Sequence, residues 1–351
     1  MPKRKGRPIV HAATVMALLA GSAYFTYELR KDEQAKVPVA QAVTDGSKGT
    51  GKAATGKETW ERLNNPARSV LRDADGAVVA TFTDGARTAT LKGASRTFSE
   101  PTNTSSRVVT DDWVRLLPEP WTKGAEKEQW FKDWFKTNLG SEEDDIFSIA
   151  FQYVEGAPVK KDSEGTTYAG DAFFGPFKED GVDRLEQTDF YDYLGKPYTF
   201  RNGTTMYPKQ ERYRSLDCSG FMRMVWGYRS RYPLMATNTL GDGLPRSAEG
   251  MARSKTGVDI IKIQGPSPWY VRPKNIDVLQ PGDLLFFKMD HRTGNHIDHV
   301  ALYLGLDTDG HRVFVSSRKE VNGPTMGDKG GASRIDGNGF YAQLFRSAKR
   351  L

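Results

Sequence analysis

The chain has one cysteine in 351 residues. No internal disulfide can form, so the fold has to stand on packing alone. Charge imbalance is also missing from most of the sequence. The formal net charge of +6 lies in residues 1–57, where ten Lys/Arg face four Asp/Glu; the rest holds 40 of each sign. The folded part therefore has no overall basic field, and a nucleic-acid partner is not expected. The long uncharged run is IVHAATVMALLAGSAYFTY, residues 9–27, where only His11 could carry charge. At about 1.5 Å per residue a helix of this length matches a bilayer core. Lys3, Arg4, Lys5 and Arg7 precede it and favour a cytoplasmic amino terminus. Gly21-Ser22-Ala23 also suits signal-peptide cleavage. Both readings put the bulk of the chain outside the cytoplasm. A buried core helix fits poorly at an extreme terminus behind a basic cluster.

Composition divides the remainder. Residues 1–31 read as a signal anchor or signal peptide, and 32–66 as a flexible linker rich in Ala, Gly, Thr and Lys. Residues 67–120 read as a small β-rich region; SVLRDADGAVVATF places two apolar runs around Asp-Gly, a hairpin pattern. Residues 121–351 read as the main domain, with an insertion at about 157–190 that is polar and Gly-rich. Trp130, Phe131, Trp134 and Phe135 recur at helical spacing. That stripe is expected to pack a core, with a sugar-stacking face as the sharper alternative. Residues 142–156 read as an amphipathic helix.

The cysteine stands in SLDCSGFMRMVWG, residues 215–227. Phe221, Met224, Val225 and Tyr228 mark one helical face. Asp217 suits the N-cap, which makes Cys218 the first helical residue. Amide dipoles there favour a thiolate, so a lowered thiol pKa is expected, and the first-turn N–H groups could hold an oxyanion. Gly220 would leave an approaching substrate uncrowded. For a base, His291, His296, His299 and His311 all fall within residues 279–317. Gln280-Pro281-Gly282-Asp283 fits a type II turn, Leu284–Phe287 a buried strand, and HVALYLG an alternating strand. Val300, Leu302 and Leu304 would face the core there, with His299 on the opposite face beside small Ala301. A metal site on His291, His296 and His299 is the rival use, weakened by loose spacing and the lack of a second thiolate.

In this order, YLGKPYTF, LDCSGFM, LPRSAEGM, LQPGDLLFF and HVALYLG resemble the NlpC/p60 family of bacterial cell-wall cysteine peptidases. The resemblance runs over roughly residues 142–351 and implies an α+β, papain-like fold: a cysteine helix packed on an antiparallel sheet that carries the histidine. It implies Cys218 as nucleophile and His299 as general base. It implies Tyr198 and Ser219 in substrate binding, Ser219 at the substrate's amino end, with Asp217 grouped beside them. The third position, which orients the imidazole and is usually His, Asn or Gln in the family, falls on Ser316, a weak orienter with one short hydroxyl. His311 precedes the apolar run and belongs to the turn.

The expected activity is therefore an exported cysteine hydrolase of peptidoglycan stem peptides. It would cut between γ-D-glutamyl and a diamino acid, use no cofactor or metal, and reach the membrane only through its N-terminal segment. The alternatives are a catalytically silent wall-binding or scaffold protein on the same fold, and an N-acyl amidase or acyltransferase on the same thiol.

Overall fold

Short apolar runs with turn residues between them become strands, and helices appear where the 3.6-residue period is clear. The computed structural model describes residues 58–179 and 181–351; the apolar run at 9–27 and most of the expected linker lie outside them. The first unit is an antiparallel five-stranded sheet in sequential order, β1 (Thr59–Leu63), β2 (Arg68–Arg72), β3 (Val78–Thr83), β4 (Thr88–Ser99) and β5 (Arg107–Leu116). The linker expected to reach residue 66 thus stops before β1. The Asp-Gly hairpin is β2–β3.

The helix carrying the aromatic stripe, α1 (Gln129–Asn138), joins this sheet. Phe131, Trp130, Trp134 and Phe135 pack with Leu71, Phe82, Leu91 and Trp121. Phe82 and Trp121 stack at 4.5 Å between ring centroids. The expected boundary at 120–121 therefore cuts through one packed unit, because the aromatics of α1 supply the layer that covers the sheet.

Next come α2 (Ile146–Phe151), the ribbon β6 (Lys160–Lys161) and β7 (Thr167–Ala169), α3 (Phe190–Leu194), and the ribbon β8 (Tyr198–Thr199) and β9 (Thr205–Met206). The cysteine helix α4 (Cys218–Met222) runs on as a π-helical stretch, Arg223–Arg229, rather than as the continuous α-helix its spacing predicts. Phe221, Met222, Met224, Val225 and Trp226 are all buried, so the middle of the segment is enclosed while its two ends stay partly exposed.

After α5 (Ala248–Arg253) the chain builds the second sheet from β10 (Val258–Ile261), β11 (Leu284–Phe287), β12 (His299–Leu306), β13 (Arg312–Arg318), β14 (Gly323–Thr325) and β15 (Phe345–Arg350), the last preceded by α6 (Phe340–Leu344). Its order is β10-β15-β11-β12-β13-β14, every neighbouring pair antiparallel. Mixed helices and an antiparallel sheet make an α+β fold.

Both faces of this sheet are covered. Val300, Leu302, Leu304, Val313 and Val315 pack against Phe221, Met222, Met224 and Phe190. On the other side Leu285, Phe287, Ala301, Tyr303 and Phe314 pack with Tyr341 and Phe345. The face of β12 expected to lie open is thus a second core. Alanine and tyrosine read as tolerant of solvent, yet both bury readily once α6 supplies a partner.

The two units join at β15. Arg350, buried, donates to both carboxylate oxygens of Asp283 (2.7 and 2.9 Å) and to Thr83 of β3 (2.6 Å). The Leu351 oxygen accepts from the Arg87 and Thr88 amides at 2.7 and 2.6 Å. Removing one partner of a buried pair leaves an uncompensated charge. Arg350→Ala is expected to lower unfolding free energy by about 3–5 kcal/mol, read by denaturant titration. A midpoint equal to wild type would contradict this account of the junction.

Candidate active site

Asp217 begins the cysteine helix. Its backbone is extended, and its carboxylate accepts the Gly220 amide at 2.7 Å. Its own carbonyl takes the Phe221 amide. Of the first-turn donors this leaves Cys218 and Ser219 N–H outside the cap. Gly220 is required by a backbone neighbour, not by an approaching substrate as expected. A Cβ there would lie 2.1 Å from the Thr188 carbonyl oxygen.

The carboxylate of Asp217 is the end of a buried chain of charge. Arg246 donates to Asp217 Oδ2 at 2.8 Å and to Ser219 Oγ at 2.8 Å, and Ser219 donates to Asp217 Oδ1 at 2.9 Å. Arg246 also pairs with Asp189 at 3.3 Å, and Asp189 with Arg223 at 3.0 Å. Asp189 lies at the end of the stretch expected to be an insertion at 157–190, so that end is part of the support under Cys218. Burial alone would raise the Asp217 carboxyl, but Arg246 and the hydrogen bonds from Gly220 and Ser219 hold it below its ordinary value.

The sulfur sits where the second sheet forks. The β12–β13 ladder is paired from Leu302–Val315 outward. Before that point His299, Val300 and Ala301 pair with β11, while Ser316, Ser317 and Arg318 pair with β14. Val300 N–H donates to the Cys218 sulfur, and Ser317 Oγ donates to the Leu216 carbonyl at 2.5 Å. The start of the cysteine helix is pinned between the separating strands, next to His299. Cys218 stays partly exposed. Two cavities, of about 570 Å³ beside β5 and β12 and about 420 Å³ beside α3, lie elsewhere; neither Cys218 nor His299 lines them.

His299 is 6 % exposed. Its ring lies 5.7 Å from that of Phe287 and 5.8 Å from that of Tyr341. Nε2 is buried without a hydrogen-bond partner among the described residues, and so is Ser316 Oγ. The hydrogen bond expected from Ser316 to the imidazole is therefore not formed. Tyr198 packs edge-on against Phe190 and Phe200 at 4.8 and 4.9 Å. His291 and His296 lie exposed in the turn before β12. Among the described residues no three His, Cys, Asp or Glu side chains converge to hold a metal.

The electrostatics reverse one expectation. Burial pushes the Cys218 thiol up, and the adjacent Asp217 charge adds to this; the Val300 N–H opposes both without overcoming them. Burial also pushes His299 down to about 3, with Arg318 acting in the same direction and Asp217 against it. The resting pair is a neutral thiol and a neutral imidazole, not the low-pKa thiolate that the helix start suggested. Arg246, Asp189, Arg318 and Tyr341 were not singled out by sequence. Arg246 lies inside LPRSAEGM and Arg318 follows Ser316 by two, but only the fold gives them partners.

A proton bound in the unfolded but not the folded state makes stability rise with pH. His299 binds one at its ordinary 6.5 when unfolded and at about 3 when folded. Its contribution is full above pH 6.5 and is lost as pH falls toward 3, at up to about 1.4 kcal/mol per pH unit. Denaturant unfolding of wild type and His299→Gln from pH 7.5 to 4 should show a flatter acid limb in the variant. Parallel limbs would contradict the buried, neutral imidazole.

Residues 195–348 match the model of the NlpC/P60 family. Among solved structures the chain is similar to an NlpC/P60 family protein from Bacillus cereus ATCC 10987, at 21% identity and a TM-score of 0.24, over 39% of this chain and 32% of that one. The matched stretch is thus about a third of that protein's length. No curated protein matches the chain.

Proposed function

We propose that this chain, which carries an NlpC/P60 domain of the cell-wall peptidase type over residues 195–348, is a cysteine hydrolase of peptidoglycan stem peptides, with Cys218 as nucleophile and His299 as base. The observation that carries the proposal is the sulfur held at the sheet fork by Val300 N–H, one residue from the only buried histidine among the described residues. An amide carbonyl bound at the start of α4 meets the thiol and the spare first-turn N–H groups together. The sulfur attacks the carbonyl carbon while its proton passes to His299. The oxyanion takes the Cys218 and Ser219 amides. His299 returns the proton to the leaving amine as the C–N bond breaks, leaving a thioester. Water, deprotonated by His299, then splits the thioester into a carboxylate and the free thiol.

The imidazole is neutral when substrate arrives and has a lone pair free for the proton, but the raised thiol and the lowered imidazole oppose that transfer, so bond formation to the carbonyl has to drive it. The bond we assign is that between γ-D-glutamyl and a diamino acid. By resemblance Ser219 and Asp217 would help bind the substrate's amino end; in the structure they are buried and held by Arg246, so they shape the helix start from beneath. By the same resemblance Tyr198, in the ribbon upstream of the cysteine, would line the substrate pocket. The uncharged run at 9–27 behind its basic cluster would place the domain outside the cytoplasm, tethered or released, where the wall is.

A silent wall-binding role is the second reading. The protonated thiol and the lack of a hydrogen-bond partner for His299 Nε2 among the described residues favour it. Digestion of purified peptidoglycan by the full chain, with Cys218→Ala alongside and mass analysis of fragments, separates the two. The hydrolase reading expects new amino termini at the diamino acid with wild type, and at least about a 1,000-fold loss in the variant. Identical fragment profiles from the two proteins would remove it. Release of glycan-free intact stem peptides would shift the assignment to an N-acyl amidase, and transfer to an added amine to an acyltransferase.

A further inference from the structure

His299 lacks the hydrogen-bonded third side chain that the hydrolase reading calls for, yet its ring is not loose. Phe287 of β11 and Tyr341 of α6 lie on it from two elements, and these two rings meet each other at 5.5 Å and 80°. The imidazole is thus confined in an aromatic corner. Tyr341 is itself fixed. The Arg318 guanidinium hydrogen-bonds its hydroxyl and lies 4.7 Å from its ring centroid.

Arg318 in turn is buried and anchored. It donates to the Gly331 carbonyl at 2.6 Å, the Gly327 carbonyl at 3.1 Å and the Ser333 hydroxyl. Its Nε, like His299 Nε2 and Ser316 Oγ, is buried without a partner among the described residues. The polar atoms behind the imidazole therefore make no chain of hydrogen bonds to it. What reaches the ring is two tilted aromatic rings and a charge.

We propose that Tyr341 and Arg318 are the positioning residues of His299, standing in for the third side chain: the Tyr341 ring sets the plane of the imidazole, and Arg318 both holds that ring and keeps a cation behind the base. The inference rests on His299 acting as the base. A cation there disfavours the imidazolium, so the base waits unprotonated and the thiol keeps its proton until a carbonyl is bound. The groups that act on or pack against His299 are Asp217 from the cysteine helix, Arg318 from β13, Tyr341 from α6 and uncharged Phe287 from β11, with Cys218 acting on Tyr341. Of these, Arg318 is the cation and Asp217 opposes it.

The test reads the imidazole directly. Histidine side-chain NMR titration of the full chain, with His299 identified by its loss in His299→Gln, is run on Arg318→Gln, Arg318→Lys, Tyr341→Leu and Tyr341→Phe. Arg318→Gln should raise the His299 midpoint by about one pH unit or more, and Arg318→Lys should restore much of the difference. Tyr341→Leu should shift the ring resonances of His299 and raise its midpoint, whereas Tyr341→Phe, which keeps the ring, should hold the resonances near wild type. A His299 that titrates and resonates alike in wild type, Arg318→Gln and Tyr341→Leu would overturn the proposal. If Arg318→Gln does not fold, the Tyr341 pair decides alone. Peptidoglycan digestion by the same proteins keeps two failures apart. A responsive His299 in a chain that digests no wall removes the hydrolase reading but leaves the positioning intact. An indifferent His299 in a chain that does digest it removes the positioning alone.

Discussion

The alternating buried charges Arg223, Asp189, Arg246 and Asp217 decide where the cysteine helix begins. They join three stretches far apart in sequence: the end of the 157–190 region, the helix start, and the turn into α5. Such a chain is a poor source of net stability, because each ion loses its hydration on burial. It does restrict geometry. Asp217 can cap the helix only where Arg246 already stands, and Gly220 can pass the Thr188 carbonyl only because it has no Cβ. The sulfur is therefore delivered to one place, the fork between β12 and β13. Without that constraint the thiol would be an ordinary buried cysteine.

The fork supplies the other half. Two strands that separate expose backbone N–H groups a ladder would otherwise consume. Val300 gives its own to the sulfur, and the hydroxyl of Ser317 secures the residue before the N-cap. The same separation leaves His299 facing inward on a sheet whose second face is filled by α6. Burial then removes charge from both the thiol and the imidazole. If the proposed hydrolase reading holds, such a site acts through proton transfer at the moment of attack rather than through a standing ion pair.

The sequence made the central strands β11, β12 and β13 and the capped start of the cysteine helix readable, because each depends on local period or on residues within a few positions. Less was readable where distance intervened. HVALYLG looked one-sided because His, Ala and Tyr were counted as outward, and nothing local announced that a helix forty residues later would cover them. The thiol was expected to be acidic from the helix start alone; the neighbouring carboxylate and the burial that outweigh the dipole belong to tertiary structure. Ser316 was reached by position within an apolar run, but its hydroxyl finds no imidazole. Tyr341 carried no local signal at all, and the aromatic stripe of α1 was legible as core while its attachment to the first sheet was not.

The central claim is that the Cys218 sulfur becomes covalently joined to a wall peptide. Rapid mixing of the full chain with purified muropeptides, acid quenching within the first turnover and peptide mapping by mass spectrometry test it most directly. The account predicts a stem-peptide acyl group on Cys218 that appears no later than the released amine. Cleavage products accumulating while Cys218 carries no acyl group at any quench time, or neither product nor adduct with any muropeptide, would contradict it.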